Sequence, residues 1–187
     1  MDKIRGFPHP EGMPASYDIN EHSHRLAAWA AATGASASPT CRFRVEEGKV
    51  ILEAAGFDAG LCRPSQLPRP SQIDKVHAQW RKRVMAEARK RKLKFTHGIA
   101  AKLINLYLKA RFTCGGHSDH PNVAALHPPI DSLLLKAINT TLPRADRMPN
   151  AWSKFDGKTY QAVIKNLRLI NVGSPFWTIE SRWQGFR

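Results

Sequence analysis

The apolar residues of this chain recur at helical spacing and almost never alternate. Between residues 98 and 108 they fall at Ile99, Leu103, Leu106 and Tyr107, which is the spacing of one helix face. The every-second-residue alternation of a half-buried strand is nearly absent from the chain. The sequence therefore predicts an all-α fold. It predicts one helical domain over residues 19–187, preceded by an extended proline-rich arm over residues 1–18.

Cap and stop signals divide the chain into a series of predicted helices. The first runs from Asn20 to Thr33, with Leu26 and Trp29 on its apolar face and Gly34 as its stop. Ser71-x-x-Asp74 resembles a capping box that opens a long helix. Other helices are predicted at 46–55, 98–108, 131–138 and 157–169, with a last one opening at Ser174-Pro175.

A strong positive charge constrains the partners of the protein. Lysine and arginine number 29 against 15 acidic residues, which gives a formal net charge of +14. Such self-repulsion is expected of a protein whose working partner is a polyanion, although charge kept only for solubility is the alternative.

The sequence shows no signal for a membrane or a secreted protein. No apolar run approaches the roughly 20 residues of a membrane-spanning helix. The N-terminal residues 1–12 lack the apolar core of a signal peptide. The three cysteines are scattered, which is typical of a reduced intracellular protein. We expect a cytoplasmic monomer with no membrane partner, associated with the nucleoid if it is bacterial.

The long predicted helix that starts near Ser71 ends in a cluster of basic residues, among which Glu87 is the only acidic residue. Exposed helices usually mix charges of both signs, so a run of one sign favours a surface that contacts phosphates. The alternative is a solvated helix face. The residues of this cluster are Arg81, Lys82, Arg83, Arg89, Lys90, Arg91, Lys92 and Lys94.

Two side chains stand out as candidates for chemistry. Lys102 lies in the first turn of the apolar helix that follows Gly98, and a packed stem with the amine reaching water is the alternative interpretation. Asp131 follows Pro128-Pro129-Ile130 at the N-cap position of the next apolar helix, and a simple helix cap is the alternative there.

These two positions carry a resemblance to a known family. Gly98-Ile99-Ala100-Ala101-Lys102 before an apolar helix, and Pro129-Ile130-Asp131 opening the next one, resemble the helix-hairpin-helix DNA glycosylase superfamily. The closest likeness is to its lysine-bearing 8-oxoguanine DNA glycosylase branch, including the archaeal form. The resemblance covers about 45 residues, from 94 to 138. Ala100 stands in place of the second hairpin glycine, so the expected helix-hairpin-helix is degenerate.

The resemblance implies a DNA glycosylase that is also an abasic-site lyase and needs no cofactor. Lys102 would be the Schiff-base nucleophile and Asp131 the carboxylate that assists release of an extruded, 8-oxoguanine-like base from double-stranded DNA. Repair and defence against phage DNA both stay open as roles. The alternative function is a non-enzymatic DNA- or RNA-binding protein on a related helical scaffold.

The resemblance also suggests which residues touch DNA. The hairpin amides around His97, Gly98 and Ala100 would grip a phosphate at a helix N-terminus, and the cationic cluster would add affinity for any sequence. The family builds part of its base pocket from its last helix. Trp183, Gln184 and Phe186 are the candidates for that pocket in this chain.

A rival constellation places zinc-type ligands on one loop. Cys114-x-x-His117-x-x-His120 and His127 have suitable side chains, but no second CxxC or HxxxH accompanies them. A free thiol and scattered histidines are the simpler interpretation, and we expect no metal.

Overall fold

Helices form the regular structure of the protein. The computed structural model describes residues 17–36 and 38–185, so the predicted arm over 1–18 lies almost wholly outside them. Within these ranges no strand occurs, and the prediction of an all-α fold is confirmed. The α-helices are α1 (Ile19–Ser36), α2 (Val45–Ala54), α3 (Ile73–Lys90), α4 (His97–Leu108), α5 (Pro121–Ala124), α6 (Ser132–Asn139) and α7 (Gly157–Ile170).

Helix α4 lies at the centre of the core and packs against α1, α3 and α7. Its N-cap is Thr96, whose hydroxyl oxygen accepts a hydrogen bond from the Ile99 amide at 3.2 Å. Ile99, Leu103 and Tyr107 are fully buried, so the predicted packing face of this helix is confirmed. A wider, π-helical segment, Lys109–His117, continues α4 toward the surface.

Helix α1 buries alanines instead of its large apolar residues. Leu26 and Trp29 are 59% and 55% exposed, so the predicted face of this helix is wrong. Gly34 does not end the helix either, because α1 continues to Ser36. A Cβ at Gly34 would lie 2.6 Å from Leu106 Cδ1, so glycine at this position lets α1 approach α4 closely. Small residues occupy the buried face of α1 because they allow two helix backbones to approach each other closely. The buried residues of α1 are His24, Ala27, Ala28, Ala31, Ala32 and Ala35.

The start of α3 also differs from the prediction. Its N-cap is Gln72, and no side chain closes a capping box there. The predicted partner, Asp74, instead accepts hydrogen bonds from His127 and Arg168, which reach it from distant parts of the chain. A buried histidine and an arginine bind a carboxylate more strongly than one backbone amide does.

A tight turn joins α3 to α4 and brings the cationic cluster to the start of the central helix. The amides of Lys92 and Leu93 donate back to the carbonyls of Arg89 and Ala88, at 2.9 and 3.0 Å. Lys92 holds the left-handed position of this turn, at φ 59°, which glycine usually occupies.

The C-terminal part of the chain returns to α6. Phe176–Arg182 forms a 3₁₀ helix where a further α-helix was predicted, and it packs against α6. Phe176 and Ile179 are its buried residues. Among the helices of the described residues, none has the length and apolar character needed to cross a membrane.

Candidate active site

Lys102 lies in the second turn of α4, not in the first turn as predicted, and it meets Asp131 at the N-cap of α6. Lys102 Nζ lies 3.8 Å from Asp131 Oδ2. Their side chains are 14% and 19% exposed, so both are mostly withdrawn from water but open to it on one side. The two residues are 29 positions apart in sequence, and the fold brings them together as an ion pair.

The surroundings of Lys102 are apolar and aromatic. Its Nζ lies 4.4 Å from the centre of the Trp152 ring. Burial lowers the pKa of the Lys102 amine below its usual value, and the carboxylate of Asp131 opposes that shift. Partial desolvation therefore makes this amine easier to deprotonate than an exposed lysine.

Gly98 brings Trp152 into place beside Lys102. A Cβ on Gly98 would fall 1.8 Å from the Trp152 carbonyl oxygen, so no larger residue fits without moving the backbone. The Gly98 amide donates a hydrogen bond to the Phe155 carbonyl at 3.1 Å. Glycine at this position thus allows the first turn of α4 to pack directly against the segment 152–155.

The two carboxylate oxygens of Asp131 make different contacts. Oδ1 caps α6 and accepts from the amides of Leu133 and Leu134, at 3.0 and 2.9 Å. Oδ2 faces Lys102 and accepts a hydrogen bond from the Trp183 indole N–H at 3.1 Å. The predicted N-cap is confirmed, and the cap aims the other oxygen at the lysine.

The three residues predicted to form the base pocket have different outcomes. Trp183 is half-buried and holds Asp131, a role that the sequence did not reveal, while its use as a stacking face stays a prediction. Gln184 is exposed. Phe186 lies outside the described residues.

A second ion pair adjoins the first. Lys109 donates to Glu180, whose side chain is 18% exposed. Burial raises the pKa of the Glu180 carboxyl above its usual value; Lys109 opposes the shift, and the negative charge of Asp131 adds to it. Sequence analysis missed Glu180, because it neither caps a helix nor belongs to a motif.

A cavity of about 630 Å³ opens beside this second pair. Lys109 and Glu180 line it, together with Trp177, Cys114 and Thr113. Its volume falls in the range of sites that enclose small molecules, and its wall combines an aromatic ring with hydroxyl and charged groups.

Comparison with known proteins identifies no relative of this chain. No protein-family model, curated protein or solved structure matches the chain. The resemblance to the helix-hairpin-helix glycosylases therefore depends on the motif residues alone.

The predicted grip of a phosphate by the hairpin amides is wrong for two of its three residues. Gly98 and Ala100 are buried, and their amides already donate to the carbonyls of Phe155 and Thr96. Neither amide can turn toward a phosphate while α4 keeps this first turn.

His97 is half-buried at the first position of α4. Its ring packs against Gly157, where a Cβ would lie 3.4 Å from the ring, and burial lowers the pKa of the imidazole. Its Nδ1 has no hydrogen-bond partner among the described residues. Contact of His97 with DNA stays a prediction.

Arg81 does not belong to the exposed basic surface, which corrects its prediction as a phosphate contact. It is 2% exposed, and its guanidinium lies 4.2 Å from the centre of the Tyr160 ring. The inward side of α3 carries this arginine into the core, 79 residues along the chain from its aromatic partner.

The rest of the predicted cluster faces outward, and Lys82 and Arg83 are both exposed on α3. We call Arg89, Lys90, Arg91, Lys92 and Lys94 the basic surface; Arg91 is half-buried and the others are exposed. Lys90 and Arg91 both form ion pairs with Glu87. One carboxylate does not offset five basic side chains, so the net charge of this surface stays positive. It occupies the last turn of α3 and the connection that leads into α4.

The rival metal constellation is not assembled. His127 is buried, and its ring nitrogens face Asp74 and the Tyr160 hydroxyl. Cys114 and His117 are exposed on the π-helical segment. Over residues 17–36 and 38–185, no group of at least three histidine, cysteine or acidic side chains could hold a metal ion.

Proposed function

We propose that the protein is a DNA glycosylase with abasic-site lyase activity, on the helix-hairpin-helix glycosylase plan. The observation that carries the proposal is the pairing of a partly desolvated lysine with a carboxylate 3.8 Å away, at the edge of a basic helical protein. A lysine that acts as a nucleophile must lose its proton, and burial of Lys102 lowers its pKa in favour of that loss, while the charge of Asp131 opposes it.

Base release is the first step of this chemistry. The bond between the base and deoxyribose C1′ breaks, and the base leaves with the bonding electrons while positive charge develops on the sugar. Asp131 Oδ2 lies 3.8 Å from Lys102 Nζ, so its charge would stabilise a cationic sugar that binds against this pair. The Trp183 indole keeps the oxygen pointed there.

Strand cleavage is the second step. The neutral Lys102 amine forms a bond to C1′, and opening of the sugar ring gives a protonated Schiff base. Loss of a C2′ proton then breaks the C3′–O bond, and the 3′ phosphate departs with the electrons. Arginine could not replace Lys102, because it keeps its charge.

The neighbouring cavity supports an extruded base as substrate. A base that is rotated out of the helix needs a pocket with an aromatic face and polar groups. The 630 Å³ cavity offers Trp177 and the Lys109–Glu180 pair, and the charge of Asp131 acts on Glu180 in its wall. An 8-oxoguanine-like base is the substrate that the resemblance favours.

Double-stranded DNA is the proposed partner. The net charge of +14 and the outward-facing basic surface supply affinity that does not depend on sequence and that falls steeply with salt. Charge reversal at Arg89, Lys90 and Arg91 should therefore weaken binding to all duplexes alike.

Covalent trapping tests the proposal. Borohydride should reduce the Schiff base and fix the wild-type protein to a duplex that carries an abasic site or one modified base. Lys102→Gln should abolish trapping but keep duplex binding, whereas Lys136→Gln, a change at an exposed lysine of α6, should keep both. If trapping survives in Lys102→Gln and vanishes in Lys109→Gln, the class of enzyme stands and the nucleophile is Lys109.

The alternative is a DNA- or RNA-binding protein without chemistry. The observation that favours it is the helix cap, because Asp131 would be needed at its position for the two amide hydrogen bonds alone. Tight duplex binding without trapping on any of these substrates would support this alternative and overturn the enzyme.

A further inference from the structure

A buried chain of side-chain hydrogen bonds crosses the core beside α4. His77 Nε2 lies 2.7 Å from Asn105 Oδ1, and Asn105 Nδ2 lies 3.1 Å from Tyr160 Oη. Tyr160 Oη lies 3.1 Å from His127 Nδ1, and His127 Nε2 lies 2.8 Å from Asp74 Oδ1. These side chains come from α3, α4, α7 and the segment before α6, so the chain joins elements that are distant in sequence.

One arrangement of protons satisfies every link. Asn105 Nδ2 also donates to the Pro128 carbonyl at 2.9 Å, which fixes the orientation of the amide. His77 must then donate to Asn105 Oδ1, and the Tyr160 hydroxyl accepts from Asn105 and donates to His127. His127 in turn donates to Asp74. A chain with one direction holds its members in fixed orientations. At its end, His77 Nδ1 has no hydrogen-bond partner among the described residues.

Asn105 ties together the two segments that bear the candidate catalytic groups. It lies one helical turn after Lys102 on α4, and the carbonyl that it holds belongs to Pro128, three residues before Asp131. Helix α6 itself packs more against the 3₁₀ helix Phe176–Arg182 than against α4. The position of Asp131 relative to Lys102 therefore depends on few direct contacts.

We propose that Asn105 is a positioning residue that sets the separation of Lys102 Nζ and Asp131 Oδ2 through its hydrogen bond to Pro128. The other members of the chain hold the Asn105 amide in the orientation that this bond requires. The catalytic consequence rests on the proposed function, but the effect on the distance does not.

A second asparagine offers a matched control. Asn139 is buried at the end of α6 and makes the same kind of clasp, donating to the Met148 carbonyl at 2.8 Å and accepting from the Met148 amide at 2.9 Å. It lies eight residues from Asp131, about 12 Å along the helix. Asn139→Leu should lower stability as Asn105→Leu does, without moving Asp131.

The test measures the protonation of Lys102 itself. Lysine labelled with ¹³C at Cε is titrated by NMR, and the Lys102 signal is assigned by its loss in Lys102→Gln. In Asn105→Leu the carboxylate moves away, and the Lys102 amine should titrate about one pH unit lower than in the wild type. In Asn139→Leu the titration should not change. An unchanged or higher Lys102 pKa in Asn105→Leu overturns the proposal.

Tyr160→Phe keeps the test decisive if Asn105→Leu does not fold. It removes one hydroxyl that orients Asn105, and it should shift the Lys102 titration in the same direction by a smaller amount. No shift in Tyr160→Phe, when Asn105→Leu is unfolded, counts against the proposal.

Borohydride trapping on an abasic duplex is the second readout. The acid limb of its pH profile should move to lower pH in Asn105→Leu, because the nucleophile is then neutral at lower pH. Absence of trapping in the wild type overturns the glycosylase/lyase, whereas an unmoved Lys102 titration overturns the role of Asn105. The two failures are therefore distinguishable.

Discussion

The indole N–H of Trp183 donates to Asp131 Oδ2, the same carboxylate oxygen that lies 3.8 Å from Lys102 Nζ. Asp131 Oδ1 is occupied by the helix cap, so this oxygen is the one that remains for chemistry. A tryptophan near the end of the described chain thus completes a site that two distant helices begin.

Substitution of Asp131 by asparagine separates the cap from the charge. Asparagine caps helices about as well as aspartate, so Asp131→Asn should change the free energy of unfolding by less than about 0.5 kcal/mol. Base release should slow by about 10²-fold or more, because the charge that faces the sugar is lost. Single-turnover excision and thermal unfolding are the measurements. Full activity in Asp131→Asn would leave Asp131 as a cap alone.

Trp183→Phe removes the indole N–H and keeps an aromatic ring. Loss of this hydrogen bond should slow base release about tenfold, since Asp131 Oδ2 is then less firmly oriented. Trp29→Phe is the control, because Trp29 is exposed on α1. Equal rates for the two variants would contradict the positioning role of Trp183.

Gly98→Ala should disrupt the first turn of α4. The added Cβ would clash with the Trp152 carbonyl oxygen, so the melting temperature should fall and trapping should decline with it. Gly115→Ala is the matched change, because a Cβ there would lie 3.9 Å from the Ala110 carbonyl oxygen and meet no tighter contact. Similar melting temperatures for both variants would show that α4 can shift away from the segment 152–155.

Lys92 should affect stability and DNA binding in opposite directions. Its left-handed backbone conformation costs about 1 kcal/mol relative to glycine, so Lys92→Gly should raise the melting temperature by roughly 2–4 °C. The same variant should bind duplex DNA less tightly and reduce the salt dependence by about one phosphate contact. Lys92→Gln removes the charge but keeps the strain, so it should lose affinity without gaining stability. An affinity unchanged in both variants would exclude Lys92 from the DNA interface.

The buried histidines should make the protein less stable in mild acid. Burial lowers the pKa of His77 and His127, so the folded state keeps them neutral while the unfolded chain takes up protons below about pH 6.5. As the pH is lowered below about 6.5, the free energy of unfolding should decrease by up to about 1.4 kcal/mol per pH unit for each histidine.

Asp74 adds a second loss at lower pH. The hydrogen bond from His127 and the Arg168 guanidinium lower the pKa of its carboxyl, so its contribution is present above about pH 4 and disappears below. Urea unfolding between pH 7.5 and 3.5 measures both losses. His77→Gln should flatten the slope between pH 6.5 and 5, and His117→Gln, a change at an exposed histidine, should not. A slope that both variants share would assign it to other groups.

Local signals in the sequence were enough to predict much of the helical framework. The period of the apolar residues identified α4, and the proline-flanked Asp131 identified the start of α6, since periodicity and capping involve residues within one or two turns. Lys102 and Asp131 were proposed as a pair because the short motifs around them resemble those of a known family. Each of these features depends on neighbours in sequence.

Tertiary packing decided the rest. Whether Arg81 faces water or Tyr160, and whether α1 buries its alanines or its leucine and tryptophan, depends on helices far away in the chain. Glu180 is held by Lys109, and Asn105 by His77, Tyr160 and Pro128, all of which are distant in sequence. No periodicity or cap encodes such partners, because a side chain's charge state and orientation follow from the shape and polarity of the surface that packs against it.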